Sequence, residues 1–400
     1  MNWPNTALTE RLDIRYPILQ APMTGGPGTP RLAAAVSEAG GLGALSGSCL
    51  QPEQLREAIA AVRALTDRPF AVSLAASPPA RVDEKRIARA RQLLAPYRAE
   101  LGLPVETAAP PNPPDFLGQL EVVLEEKIPA LSFIFGVPDA ACLNLARDAG
   151  LAILGTATHL LEAIVLEESG VDFIVAQGAE AGGHRGTFIG QPEQGLVGTL
   201  SLVPLLAKHV RVPIIAAGGI MDGRGIAAAR MLGAVGVQMG TAFLACPESG
   251  AHPAYKALLS QGNEIATTLS RVFTGRCGRV LRNRLVSELR AHEHELPGFP
   301  LQWFLTQELG QVAAERGKTD FMALWAGQGC HLCEDRPAAE LVALWADQVA
   351  ALLASEMKPE SVPVSTDPVT PEPSAPEQPD LADSNSDWAD HHRYDSAAIN

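Results

Sequence analysis

The chain alternates between short apolar runs and longer stretches in which apolar residues recur every three or four positions. The short runs are rich in β-branched residues and nearly continuous in apolar character, as strands are when both faces of a parallel sheet are buried. The longer stretches have the periodicity of helices packed on one side. This alternation predicts repeated strand and helix units around a parallel sheet.

Eight of the short runs qualify as strands, and eight parallel strands close a (β/α)₈ barrel. The predicted strands are Ile18–Ala21, Gly43–Ser46, Phe70–Leu74, Ala130–Phe135, Ala152–Gly155, Phe173–Gln177, Ile214–Ala217 and Gly236–Met239. Helices are predicted between them, among others at Pro30–Ala39, Gln54–Leu65 and Gly223–Leu232. We therefore predict an α/β protein with the TIM-barrel fold.

Two longer segments interrupt the pattern, at about residues 77–118 and 247–328, and we expect them to form a lid. The barrel core then spans residues 1–246, and a helical segment at 329–354 packs on the barrel. From Glu356 onward the chain has ten acidic against two basic residues and few aliphatic ones. Such a composition cannot bury a core, so residues 355–400 are predicted to be a disordered acidic tail.

Composition and charge narrow the class of function. The chain has 400 residues, of which 46% are hydrophobic, enough for one large core. Its formal net charge of −14 argues against nucleic acid or an anionic membrane as partner. Because no leader-like start and no apolar run of about 18 residues is present, we expect a cytoplasmic protein acting on small molecules.

The six cysteines are too sparse for a disulfide-stapled fold and are interpreted as reduced thiols. Cys330 and Cys333 have the spacing of half a zinc site, but no second pair completes it, so no metal is expected. The stretch from Ser46 to Cys49 resembles the cysteine loop of IMP dehydrogenase, a related barrel. No phosphate-binding glycine run precedes it, and we interpret it as structural.

The most informative segment runs from Gln177 to Gly186 and begins at the carboxyl end of the sixth predicted strand. Barrel active sites are built from that end of the strands. Gly182 and Gly183 precede His184, and glycines let the backbone approach a planar ligand while the imidazole projects from a tight turn. This pattern favours a catalytic role for His184 over that of an ordinary core histidine.

Two glycine turns follow the last two predicted strands, at Gly218-Gly219 and at Gly240-Thr241. Backbone N–H groups in such turns bind phosphate without a lysine, and barrels commonly bind phosphate at this place. The chain shows no strand-linked G-x-G-x-x-G motif with a downstream acidic residue, so one phosphate, as in FMN, fits better than NAD.

Several motifs, in this order and spacing, resemble those of the nitronate monooxygenase family, formerly called 2-nitropropane dioxygenases. They are Ala21-Pro22-Met23, Gly182-Gly183-His184-Arg185-Gly186, Ala217-Gly218-Gly219-Ile220 and Gln238-Met239-Gly240-Thr241, with further echoes at Thr274-Gly275-Arg276 and Leu324 to Gly329. The resemblance covers roughly residues 1–354.

The resemblance implies an FMN enzyme that oxidises alkyl nitronates with O₂ to a carbonyl compound and nitrite, without a metal. His184 matches the family's catalytic histidine. Matches to cofactor-binding positions are Ala21, Pro22, Met23, Gln177, Gly182, Gly183, Gly218, Gly219, Gln238, Met239, Gly240 and Thr241. The sequence leaves the oligomeric state open, with a homodimer as one candidate.

Three positions depart from the family pattern. Ser73 stands where the family usually has a flavin-contacting Asn, and Phe299 and Trp303 replace a Tyr and a Lys near the substrate. A pocket with these two aromatic residues is less suited to a small anionic nitronate and favours a bulkier or more apolar compound.

Two other functions stay open at this stage. The enoyl-thioester reductases of the same superfamily share the Gly-Gly-His turn and the phosphate strands, but they use NAD(P)H as reductant. A flavin-binding protein without turnover is the other, and the intact His184 turn argues against it.

Overall fold

A computed structural model describes residues 3–77, 82–104 and 114–356. Eight strands form a parallel barrel, and three short strands form a separate antiparallel sheet. The strands are β1 (Ile18–Gln20), β2 (Gly43–Ser46), β3 (Phe70–Ala75), β4 (Ala130–Ile134), β5 (Ala152–Ala157), β6 (Phe173–Gln177), β7 (Gly183–His184), β8 (Ile214–Ala217), β9 (Gly236–Met239), β10 (Thr267–Ser270) and β11 (Gly278–Leu281). The predicted barrel strands are confirmed to within two residues at each end.

The barrel sheet has the order β1-β9-β8-β6-β5-β4-β3-β2, and all neighbouring strands are parallel. Its two ends meet where Gln20 N donates to Leu42 O over 2.9 Å and Leu42 N donates to Ile18 O over 3.0 Å. The Gln20 side chain crosses the same seam, donating to Ala44 O and accepting from Ala44 N. These bonds close the predicted (β/α)₈ barrel.

Helices surround the barrel and also build a second lobe. The barrel helices are α2 (Pro30–Glu38), α3 (Pro52–Arg63), α5 (Phe116–Glu125), α6 (Ala140–Asp148), α7 (Leu160–Glu168), α8 (Thr199–His209), α9 (Gly223–Met231) and α13 (Ala338–Glu356). The others are α1 (Ala7–Leu12), α4 (Glu84–Glu100), α10 (Pro253–Gln261), α11 (Arg284–Leu289) and α12 (Leu301–Glu315).

Strand residues alternate between two cores. Side chains pointing outward, such as Ile18 and Val72, pack under the surrounding helices. Those pointing into the barrel are often small, such as Ala71 and Ala152, and Leu8 of α1 joins them. This two-sided burial explains why the strands read as continuous apolar runs.

The two inserted segments pack together into the second lobe. Helix α4, from the first insert, shares a buried core with α10, α11 and α12 of the second. The sheet β10-β11-β7 ties this lobe to the barrel, because Gly278 and Arg279 of β11 pair with His184 and Gly183 of β7. Helix α13 packs on α2 and α9.

The predicted tail lies almost wholly outside the described residues, which end at Glu356. Within the described ranges, no helix is long and apolar enough to cross a bilayer.

Candidate active site

A large cleft opens at the carboxyl ends of the barrel strands. It encloses about 1340 Å³ of space, including the solvent in its open mouth. The predicted site residues that line it are His184, Ala21, Pro22, Met23, Ser73, Gln177, Gly182, Gly183, Gly218, Gly219, Gln238, Met239, Gly240, Thr241 and Phe299. Trp303 is not among the lining residues; it lies in the first turn of α12 and contacts Phe304.

Two side chains, those of Gln177 and Arg185, hold the turn that carries His184 in place through hydrogen bonds. Gln177 Nε2 donates to His184 O over 2.9 Å, and Gln177 Oε1 accepts from Gly186 N over 2.8 Å. Arg185 is 1% exposed and donates to the carbonyl oxygens of Gln177, Gly178 and Gly195. The imidazole is therefore presented to the cleft by a rigid turn.

A close backbone approach fixes the other side of this turn. A Cβ atom on Gly182 would lie 2.5 Å from Gly327 N and 2.6 Å from the carbonyl carbon of Ala326. Gly327 N in turn donates to Thr241 Oγ1 over 2.9 Å. Only glycine at position 182 lets the segment around residue 326 lie against the turn.

The His184 ring lies among aromatic side chains and beside one hydroxyl group. Its ring centroid is 4.7 Å from that of Trp325, 5.6 Å from Phe135 and 5.8 Å from Phe299. His184 Nε2 lies 2.8 Å from the hydroxyl oxygen of Thr274, which is buried. Burial in this apolar surrounding, with the Arg276 charge nearby, lowers the pKa of His184 from 6.5 to about 3. The imidazole is neutral near pH 7.

Phe135 is held in an unusual backbone conformation between His184 and Arg276. Its φ is 78°, a region that bulky residues rarely adopt. The Arg276 guanidinium lies 3.9 Å from the Phe135 ring centroid, while the ring itself lines the cleft. Such strain at a cleft wall is typical of functional sites.

The two glycine turns follow β8 and β9, the strands that come next to β6 in the barrel order. Gly218 and Gly219 have φ values of 113° and 72°. In the described residues no acceptor is found for the backbone N–H groups of Gly219 and Ile220. The turn after β9 begins a short 3₁₀ helix at Thr241, whose first N–H groups have no partner within the helix. Helix α9 offers less, because the Asp222 side chain already accepts from Arg224 N and Gly225 N.

Small polar side chains form the floor of the cleft. Ser73 and Ser132 are paired across β3 and β4, and Thr156 follows on β5. These three side chains are buried, line the cleft, and have no hydrogen-bond partner in the described part of the chain. The Gln238 side chain of β9 also reaches the cleft without a partner there. Groups of this kind require a polar ligand or water.

The lining carries no formal charge. Over the described residues, no Asp, Glu, Lys or Arg side chain lines the cleft. Backbone N–H groups, hydroxyl groups, the amide side chains of Gln177 and Gln238 and the neutral His184 ring supply its polarity. The binding of an anion in the cleft therefore depends on these groups and on charged side chains that lie outside the lining.

Sequence reasoning missed several residues of the site. Phe135, Trp325 and Thr274 surround His184, and Ser48 and Cys49 also line the cleft. Our structural interpretation of the loop at Cys49 therefore overlooked its place on the cleft wall. Burial raises the pKa of the Cys49 thiol to about 12, so it is not a ready nucleophile.

The fold and cleft define a barrel enzyme, and comparison with known proteins narrows the class. A family model described as nitronate monooxygenase matches residues 5–346. A probable nitronate monooxygenase of Staphylococcus saprophyticus is 38% identical over 351 residues, which cover 87% of this chain and 99% of that protein. The chain belongs to the nitronate monooxygenase family, whose members are flavin-dependent oxidoreductases.

Two solved structures are similar over most of their length. Nitroalkane oxidase from Streptomyces ansochromogenes is 40% identical with a TM-score of 0.80, covering 88% of this chain and all of that one. FabK from Thermotoga maritima is 31% identical with a TM-score of 0.68, covering 88% of this chain and 98% of that one.

Proposed function

We propose that the chain binds FMN noncovalently and oxidises alkyl nitronates with O₂ to a carbonyl compound and nitrite. The observation that carries the proposal is a single cleft lined both by the His184 turn and by the paired glycine turns. Family membership and the similarity to nitroalkane oxidase support it.

The residues present fit a flavin with one phosphate. The N–H groups of Gly219 and Ile220, with the start of the 3₁₀ helix at Thr241, would hold the phosphate without a cation. The unpartnered hydroxyls of Ser73 and Ser132 and the amide of Gln238 would face the polar edges of the ring system. When bound, the flavin supplies the oxidising chemistry and its reoxidation by O₂.

His184 handles the substrate next to this cofactor site. Because its pKa is about 3 in the cleft, it removes a proton from a neutral nitroalkane only against a large mismatch in basicity. A nitronate arrives already deprotonated and needs only a hydrogen-bond donor beside its negative group. The geometry therefore favours preformed nitronates, with His184 orienting the anion.

The side chains around His184 set the shape of the substrate. Phe135, Phe299 and Trp325 form an apolar wall on which an alkyl group can pack. Phe299, which replaces the family's Tyr, belongs to this wall, whereas Trp303 does not. We propose nitronates with apolar alkyl chains as the substrate class.

His184→Asn tests the function when both forms of one substrate, a nitroalkane and its nitronate, are assayed in air. We expect the purified protein to release FMN on heating, one per chain, in wild type and variant alike. We expect the variant to lose activity on the nitronate by about 10²-fold or more, since it loses the imidazole that orients the anion. His209→Asn, at an exposed position on α8, is the matched control and should keep full activity.

Two outcomes would overturn the proposal. Release of FAD, or of no flavin from a folded protein, contradicts the cofactor. Rapid bleaching of the flavin by NADPH without oxygen, together with no nitrite from any nitronate, assigns the chain to the enoyl-thioester reductases instead.

A further inference from the structure

The proposed substrate is an anion, yet the cleft lining carries no cationic side chain in the described residues. His184 is neutral near pH 7, and the N–H groups of the glycine turns are assigned to the phosphate. Attraction for a second anion beside His184 must therefore come from charge behind the wall. A buried cation acts over several ångströms because the surrounding medium screens it little.

Arg276 is a partly buried cation next to this wall. Its guanidinium lies 3.9 Å from the Phe135 ring centroid, and the Phe135 ring separates it from the cleft. Its Nε donates to Arg185 O over 3.2 Å and one of its terminal nitrogens donates to Thr187 O over 2.5 Å. These hydrogen bonds hold the positive charge on the side of the Phe135 ring that faces away from the cleft.

The charge of Arg276 is not cancelled by an ion pair. In the described parts of the chain, no carboxylate oxygen lies within 4 Å of its guanidinium. Glu162, the acidic group that acts on it most, is fully buried and accepts bonds from Thr158 N, Thr158 Oγ1, Phe188 N and Ile189 N. The Glu162 charge is thus spread over those donors.

The influence of Arg276 already reaches His184. After burial, the positive charge of Arg276 is the cause that lowers the pKa of His184 and so disfavours the protonated imidazole. A positive charge that repels an imidazolium at this place attracts an anion at the same place.

We propose that Arg276, acting through the Phe135 ring, is the residue with which the cleft selects anionic substrates over neutral ones of the same shape. The assignment rests on the proposed function for the nature of the substrate. Arg276 is a specificity-determining residue that touches neither substrate nor flavin.

The size of the effect follows from distance. An anion packed against the cleft side of Phe135 would lie roughly 7 to 8 Å from the guanidinium, where unit charges at an effective dielectric constant of about 20 change binding by roughly 30- to 60-fold. A neutral molecule of the same shape feels only a small part of this field.

The test compares isobutyrate with isobutyramide, an anion and a neutral molecule of nearly equal shape, bound to the flavin-loaded enzyme and measured by calorimetry at pH 7 and fixed ionic strength. For Arg276→Gln we expect the Kd of isobutyrate to rise roughly 30- to 60-fold, with that of isobutyramide within about twofold. Arg276→Lys keeps the charge and should keep most of the preference. Arg279→Gln is the matched control, because Arg279 is likewise an arginine bonded to a backbone carbonyl, Ala179 O. The ratio of its two Kd values should equal that of wild type.

Equal weakening of both ligands in Arg276→Gln, or no change in either, refutes the proposal. If that variant does not fold, the wild-type enzyme alone still tests the proposal. Tighter binding of isobutyramide than of isobutyrate by the wild type would contradict the selection of anions by a cation. Because the readout is equilibrium binding, its outcome is separate from turnover of nitronates. An enzyme that selects isobutyrate but oxidises no nitronate retains this role for Arg276 and loses the proposed reaction.

Discussion

Replacing Thr274 with valine isolates the hydroxyl group that lies against the His184 ring. Thr274 is 3% exposed, and its Oγ1 lies 2.8 Å from His184 Nε2 and 3.2 Å from Arg276 O. The Thr274 hydroxyl can donate to Nε2 while it accepts from Arg276 N over 3.3 Å. This arrangement puts the single proton of the neutral ring on Nδ1, which is then the nitrogen that can donate to the anionic group of the substrate.

Valine keeps the shape of threonine and removes this link. A buried polar atom that loses its partner costs about 1–3 kcal/mol. If the ring turns to recover a hydrogen bond, the nitrogen that orients the substrate is displaced. We expect this displacement to destabilise the transition state by the same free energy, so kcat/KM falls roughly 5- to 150-fold. Thr274→Ser retains the hydroxyl and should stay near wild type.

The assay is steady-state oxidation of a nitronate, with flavin content and Tm measured for each variant. A positioning role also predicts a change in the tautomer of His184, seen by nitrogen NMR of labelled histidine, which a merely structural role would not produce. Wild-type kinetics together with an unchanged tautomer in Thr274→Val would refute the reasoning.

Two further outcomes follow from the site. Gly182→Ala places a Cβ atom 2.5 Å from Gly327 N, so we expect it to cost about 1–3 kcal/mol and to lower flavin affinity; Gly310→Ala, in an uncrowded part of α12, should be neutral or slightly stabilising in the same melts. The pKa of His184 is about 3 in the folded protein, against 6.5 for a histidine in the unfolded chain. As the pH falls, the unfolded chain therefore takes up this proton first. The free energy of unfolding should then decrease between pH 6.5 and pH 3 by at most about 1.4 kcal/mol per pH unit. His184→Asn should lose this part of the dependence in melts across the range, and an unchanged slope would contradict the pKa.

The barrel could be predicted from the sequence because the residues of each strand indicate by themselves that the strand is buried. A strand such as Phe173–Gln177 is apolar on both faces, so its run of residues is continuous and its ends are marked by glycine or polar turns. The glycine turns could be placed for the same reason, since each follows directly from a strand end. Their grouping around the cleft is a consequence of barrel closure.

The second lobe could not be predicted in the same way. Thr274 lies 90 residues from His184 in sequence, and Trp325 lies still further. Both belong to motifs that the sequence displayed, but no strand periodicity connects those motifs to the sixth strand. Their position depends on β11 pairing with β7, a contact of two residues that carries no hydrophobic pattern.

The contrast between Phe299 and Trp303 has the same origin. Both were predicted near the substrate because they stand where the family has a Tyr and a Lys near its substrate, yet only Phe299 lines the cleft. Phe299 precedes α12, while Trp303 lies inside its first turn, where the direction of a side chain is set by the helix and not by its neighbours in sequence. Strand ends fix the cofactor side of this cleft, whereas helix phase and lobe packing fix the substrate side. For that reason the substrate side is the part in which members of one family can differ while the barrel stays the same.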